Sequence, residues 1–115
     1  MMVKILHNSR CSKSRQTLNI LEDQGCEVTI IEYLKGAITE SQLKDILQQL
    51  EMAPRDLLRK GEKIYKELNL SDTGLNDENL IKAMIEHPIL IERPIVISSK
   101  GARIGRPPES VLEIL

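Results

Sequence analysis

Cys11 stands where a thiol can be made reactive. It follows the apolar run Val3-Lys4-Ile5-Leu6, which reads as a short strand, and precedes a segment, Ser12 to Gln24, that reads as a helix. A strand-to-helix junction collects free backbone N–H groups and the positive end of the helix dipole. Both favour a thiolate over a thiol, and both would hold an anionic substrate. Arg10, Lys13 and Arg15 add positive charge close by. The alternative is a half-buried helix cap with no reactivity, and the local sequence leaves both readings open. Ser14 takes the place of the second cysteine of a CxxC redox motif, so a dithiol mechanism within this motif is excluded. Its hydroxyl is able to hydrogen-bond the Cys11 thiolate, or it is a plain first-turn serine. His7 lies four residues before Cys11 and is either an imidazolium that tunes the thiolate or a satisfied loop residue. Cys26 follows a helix stop and has no activating neighbour, so it reads as structural, with a resolving or oxidation-prone role as the alternative.

Three arginines suit an oxyanion. Arg59 closes the run Leu57-Leu58-Arg59-Lys60, Arg93 precedes Pro94, and Arg106 precedes Pro107. A planar guanidinium donates paired hydrogen bonds that match the edge of a tetrahedral anion. A residue before proline is held extended, which gives each Arg-Pro junction a defined backbone. Pro94, entering a strand, is a candidate for a cis peptide bond. Singly, each arginine reads as a surface charge; together with Cys11 they suggest an anion cup, whose convergence the sequence does not show.

The elements around these residues follow from local pattern. Glu27 to Tyr33 is β-branched and aromatic, hence a strand, and with the first strand and helix it completes a βαβ unit with parallel strands. Thr39 and Gln42 form a capping box ahead of Leu43, Ile46, Leu47 and Leu50, which share one helix face. Pro54 opens a short helix expected to reach Arg59. Glu62 to Leu68 adds a further turn or two. Asn76 or Asp77 caps a helix with Leu80, Ile81, Met84 and Ile85 inward, ending near His87-Pro88. Pro94 to Ile97 reads as a strand, Ser98 to Gly101 as a turn and Ala102 to Ile104 as its hairpin partner. Pro107-Pro108 then opens a last helix through Val111, Leu112 and Leu115. The expected fold class is α/β. It is a thioredoxin-like arrangement, βαβ followed by ββα, in one domain of residues 1–115, with the helices of about 39–87 as an insertion.

Composition narrows the function. The 115 residues are 41% apolar and 29% charged with a net charge of −1, so no global basic field attracts a polyanion. With no Phe or Trp and two Tyr, base-stacking platforms are nearly absent, and nucleic-acid binding is not expected. No apolar run approaches a membrane span, and the N-terminus turns polar too early for a signal peptide, so the expected location is the cytosol. The two cysteines fit neither a zinc site nor a disulfide framework, so no metal is expected and each is read as a free thiol.

One longer pattern stands out. His7-Asn8-Ser9-Arg10-Cys11-Ser12-Lys13-Ser14-Arg15 resembles the HNxxCxxSR loop of the glutaredoxin-dependent arsenate reductase (ArsC) family. The resemblance continues through Ile31-Glu32-Tyr33-Leu34, Leu57-Leu58-Arg59-Lys60, His87 to Val96 and Gly105-Arg106-Pro107, and so covers nearly the whole chain. It departs at Ser12-Lys13, where the best-known reductases carry Gly-Thr, and in lacking their longer tail after Leu115. The resemblance implies a thioredoxin-like fold and attack of Cys11 on arsenate to give a covalent adduct. It implies that Arg59, Arg93 and Arg106 hold the oxyanion and that His7 and Ser14 keep Cys11 ionised. It implies no bound cofactor: glutathione is the thiol co-substrate, and glutaredoxin clears the mixed disulfide and releases arsenite. The other readings are a thiol oxidoreductase of the same fold with another substrate and a non-enzymatic regulator similar to the Spx-type proteins, which bind RNA polymerase. The missing CxxC switch and the full arginine set favour an enzyme.

Overall fold

A computed structural model describes residues 1–36 and 38–115. It divides into two compact units, Met1–Ala37 with Arg93–Leu115, and Ile38–Glu92.

The first unit is built on a four-stranded sheet. Strands β1 (Met2–Leu6), β2 (Glu27–Ile31), β3 (Ile95–Ser98) and β4 (Gly101–Ile104) lie in the order β2-β1-β3-β4. β1 and β2 are parallel, as the intervening helix α1 (Ser12–Asp23) requires; β3 runs antiparallel to β1 and to β4. Gly25, at φ +74°, lets the chain leave α1 and turn into β2, a conformation that costs glycine little. The apolar face of α1 and a C-terminal 3₁₀ helix, Pro108–Ile114, cover one side of the sheet. Leu21, Val111 and Ile114 pack there with Val3, Ile5 and Val96, and Leu18, Val28 and Cys26 border them. This is the thioredoxin-like α/β arrangement expected, with three differences of detail. The second strand stops at Ile31, and Tyr33 instead begins a 3₁₀ turn, Tyr33–Lys35, that buries its ring. The last helix is 3₁₀ rather than α. Both Arg93–Pro94 and Arg106–Pro107 are cis, the second of which was not anticipated.

Register gathers four loops at one end of the sheet. Leu6, the last residue of β1, pairs with Ile31, the last of β2, and with Ile95, the first of β3; Ile95 pairs with Ile104, the last of β4. Residues 7–11, Tyr33, the Arg93–Pro94 bond and Gly105-Arg106 therefore leave the sheet together, beyond the carboxyl ends of the parallel strands. That is where α/β sheets hold their ligands.

Gly105 locks this end. Its N–H donates to the Pro94 carbonyl (2.9 Å), and a Cβ added to it would run into the Thr17 hydroxyl of α1 and lie 2.8 Å from the Pro94 ring. Thr17 is fully buried and donates its hydroxyl to the Lys13 carbonyl, so it cannot swing aside. We expect Gly105→Ala to cost about 1–3 kcal/mol through overpacking, lowering Tm by roughly 4–8 °C per kcal/mol. Calorimetry of the variant checks it; an unchanged Tm would mean the loop yields freely.

The second unit is helical, with α2 (Glu40–Leu50), α3 (Pro54–Leu57), α4 (Lys63–Glu67) and α5 (Asp77–Glu86). The capping box of Thr39 and Gln42 is present on α2, and Asn76 forms another with Asn79 on α5. Leu43, Ile46 and Leu47 of α2 and Leu80, Ile81 and Met84 of α5 are buried, and α5 packs on α2 and α3. Leu50 and Ile85, also expected inward, are only partly buried. The helix expected to reach Arg59 stops at Leu57: Leu58 is extended and bridges Ile91, and the Arg59 N–H donates to the Leu90 carbonyl (2.7 Å). Among the described residues no helix is long and apolar enough to cross a membrane.

Candidate active site

Cys11 is the N-cap of α1. Its own φ and ψ (−95°, 122°) are extended, so the first free N–H groups of the helix point back toward its side chain. The loop before it is tied by its own groups. The Cys11 N–H donates to the Asn8 carbonyl (3.0 Å), the Arg10 N–H to the Asn8 side-chain oxygen (3.0 Å), and Arg15 Nη1 to the Ser9 carbonyl (2.9 Å).

Two guanidinium groups from the far end of the chain reach the sulfur. Arg106 Nη2 lies 3.8 Å from Cys11 Sγ, and Arg106 Nε donates to the Arg93 carbonyl at 2.7 Å. The Arg93 side chain hydrogen-bonds the Cys11 sulfur. Burial by itself pushes the thiol up, but the Ser14 N–H, the Arg93 guanidinium and the Lys13 N–H outweigh it and hold Cys11 below the ordinary thiol value. The Cys11 thiol therefore ionises more readily than an ordinary cysteine. Its alkylation rate should keep its thiolate plateau to a lower pH than that of an unfolded control peptide. The stability sign follows: a depressed acid stabilises the fold above its unfolded value, and the gain fades as pH falls through the folded one. The Tm difference between the protein and its Cys11→Ser variant should move in the protein's favour as pH rises across that window. A pH-independent difference would contradict it.

The side chains of Ser14 and His7 meet each other. Ser14 is fully buried, and it is its backbone N–H that faces Cys11. Its hydroxyl oxygen accepts the Asn8 N–H (3.1 Å) and lies 2.6 Å from His7 Nδ1. Burial lowers the His7 value; Glu32 opposes this and Arg15 reinforces it. The lowered value favours a neutral imidazole, whose Nδ1 accepts a hydrogen bond from the Ser14 hydroxyl.

Arg59 belongs to the second unit. There its Nε meets Glu62 (3.2 Å) and its Nη1 meets Glu92 (3.0 Å). Cys26 lies past the other end of α1, whose 12 residues span about 18 Å, so the two thiols are too far apart to form a disulfide. Among the described residues no group of three or more His, Cys, Asp or Glu side chains is placed to hold a metal ion. What the site offers is one thiol whose ionisation is favoured, a row of N–H donors and two guanidinium groups, a combination suited to nucleophilic attack on an oxyanion. Sequence reasoning missed Asn8, which ties the loop and Ser14 together, and Tyr33, whose buried hydroxyl meets Arg93. The Asn in the motif was a usable signal; Tyr33 looked like a strand residue.

The family model described as the ArsC family matches residues 6–114, which include every residue of this cluster. The chain belongs to the ArsC family. It is 53% identical over 114 residues to the Escherichia coli (strain K12) protein named "Uncharacterized protein YfgD", covering 98% of this chain and 96% of that one. It is 47% identical over 116 residues to the Haemophilus influenzae protein named "Arsenate reductase", covering all of both chains. A solved structure titled "Arsenate reductase from Vibrio cholerae" superposes with a TM-score of 0.97 at 52% identity, covering 100% of this chain and 98% of that one. Family membership accounts for the motif order seen in the sequence and for the sheet that carries it.

Proposed function

We propose that this ArsC-family chain is a cytosolic arsenate reductase with Cys11 as its nucleophile and Arg93 and Arg106 as oxyanion-binding residues. The observation that carries the reading is the Arg106–Cys11–Arg93 cluster at the N-terminus of α1, a thiol with its ionisation favoured beside two guanidinium groups. The names of the Haemophilus influenzae and Vibrio cholerae relatives support the same substrate. His7 and Ser14 support Cys11 by holding the loop and the first turn of α1 in place. Arg59 is proposed as a third oxyanion residue on its place in Leu57-Leu58-Arg59-Lys60 alone. The helical block is proposed as part of the same ArsC-type domain.

In the proposed reaction the Cys11 thiolate attacks arsenic, an As–O bond breaks, and the departing oxygen leaves as water after protonation. Arsenic is still pentavalent at this point. The electrons come from outside, because Ser14 and the remote Cys26 leave Cys11 without an internal resolving thiol. Glutathione bonds to the adduct's arsenic and displaces a second oxygen as water; a glutaredoxin thiolate then takes the glutathione sulfur as a mixed disulfide, the S–As electron pair stays on arsenic, and water releases arsenite from Cys11. In sum, arsenate and two thiols become arsenite, one disulfide and water, with two electrons passing from sulfur to arsenic. No bound cofactor is required.

The test is arsenite production by the purified protein from arsenate, with glutathione and glutaredoxin present together and each withheld in turn. Turnover should need both. No arsenite under any thiol supply, with the protein folded, would sink the reading and favour a thiol oxidoreductase acting on another substrate.

A further inference from the structure

Tyr33 is almost wholly buried at 1% exposure, yet it is a tyrosine rather than an apolar residue. A buried phenol needs a hydrogen-bond partner, and the 3₁₀ turn after β2 brings it to the end of the sheet where Arg93 enters β3. The Tyr33 hydroxyl oxygen and the Nε and Nη1 atoms of Arg93 are all excluded from solvent. Arginine only donates, so the phenol oxygen is the acceptor. The same guanidinium hydrogen-bonds the Cys11 sulfur. Arg93 thus faces both the Tyr33 hydroxyl and the Cys11 sulfur, and its own carbonyl receives Arg106 Nε (2.7 Å).

We propose that Tyr33 is the positioning residue for the anion site: its hydroxyl anchors one edge of the Arg93 guanidinium so that the other edge stays aimed at Cys11 and at an oxyanion bound beside it. This rests on the active-site reading given above. An arginine side chain has several freely rotating bonds, and restricting them before the anion arrives lowers the entropy lost on binding. Tyrosine suits the task because its hydroxyl sits on a rigid ring that packing already fixes. A Phe in its place would fill the same volume and leave the guanidinium edge without its acceptor.

The experiment is a double-mutant cycle with Tyr33→Phe, Arg93→Ala and the pair. Two quantities are read: the pH midpoint of the Cys11 thiolate, from its ultraviolet absorbance, and the protection of Cys11 from alkylation by inorganic sulfate. Tyr33→Phe should raise the midpoint toward the ordinary thiol value and weaken sulfate protection about tenfold, the equivalent of one hydrogen bond to a charged group. In the Arg93→Ala background the same change should do nothing further. A depressed wild-type midpoint that Tyr33→Phe leaves in place, with sulfate protection intact, would overturn this inference alone. So would an equal effect in the Arg93→Ala background, which would mark Tyr33 as a packing residue. A wild-type midpoint at the ordinary thiol value would overturn the active-site reading as well. A second measurement needs no variant: NMR contacts between the Arg93 guanidinium protons and the Tyr33 ring must be present, and their absence would also overturn it.

Discussion

Cys11→Ser should abolish arsenate turnover, by on the order of 10⁴-fold or more, while leaving the fold and Tm within a few degrees of the parent. Losses of that size follow removal of a nucleophile elsewhere, because the groups left behind bind and polarise substrate but form no bond to it. The substitution is nearly isosteric. It exchanges a thiol whose ionisation the Ser14 and Lys13 N–H groups and the Arg93 guanidinium favour for a hydroxyl that stays protonated in the same surroundings. Those donors and the Arg106 guanidinium remain, so sulfate should still bind the variant. Cys26→Ser is the matched control. Cys26 borders the core of the first unit beyond the other end of α1, so its loss should cost some stability and no turnover. Turnover unchanged in Cys11→Ser, or lost in a folded Cys26→Ser, would end the single-thiol mechanism.

Arg93→Ala should lower kcat/KM for arsenate by about 10²-fold, the effect of one or two charge-assisted hydrogen bonds at roughly 1.5–3 kcal/mol each. Part of this loss reaches the nucleophile. With the guanidinium gone, burial of Cys11 is opposed only by the backbone N–H groups, and the thiol should titrate higher. Raising the assay pH should therefore recover some of the rate and none of the anion affinity. Stability should fall far less, by about 1–2 kcal/mol, mainly because the buried Tyr33 hydroxyl loses its donor. Arg93→Lys keeps the charge without the planar fork and should fall between the two, restoring the thiol's titration better than it restores anion binding. Kinetics and calorimetry on the same preparations decide it. A fall in Tm that accounts for the lost activity would make Arg93 a structural residue.

The strongest local signals were capping and periodicity. Thr39 with Gln42 and Asn76 at the head of α5 cap as their residue types require, because a cap is satisfied by groups within three positions along the chain. The βαβ unit and the final hairpin were legible for a similar reason: apolar alternation and turn chemistry repeat within a few residues. Where long-range packing competes, local reading slipped. Tyr33 has the composition of a strand residue, but its ring is buried and its hydroxyl meets Arg93, and the backbone turns 3₁₀ to place it. The Pro54 helix ends before Arg59 because Leu58 pairs with Ile91, a partner more than thirty residues away.

The candidate site divides along the same line. That Cys11 caps a helix, and so faces free N–H groups, is a property of one short stretch of chain and could be read from residue order. Which arginines come to the sulfur could not. Arg93 and Arg106 reach it because Leu6, Ile31, Ile95 and Ile104 stand in register across the sheet, and because Gly105 admits α1 close against Pro94. The partner of His7 was equally hidden: Nδ1 finds the Ser14 hydroxyl and not the thiolate, a choice made by burial and the Asn8 N–H. Nearest-neighbour chemistry is written in residue order because its energies act within a helical turn. Convergence from residues 93 and 106 onto residue 11 depends on strand register and core packing, and those exist only once the chain has folded.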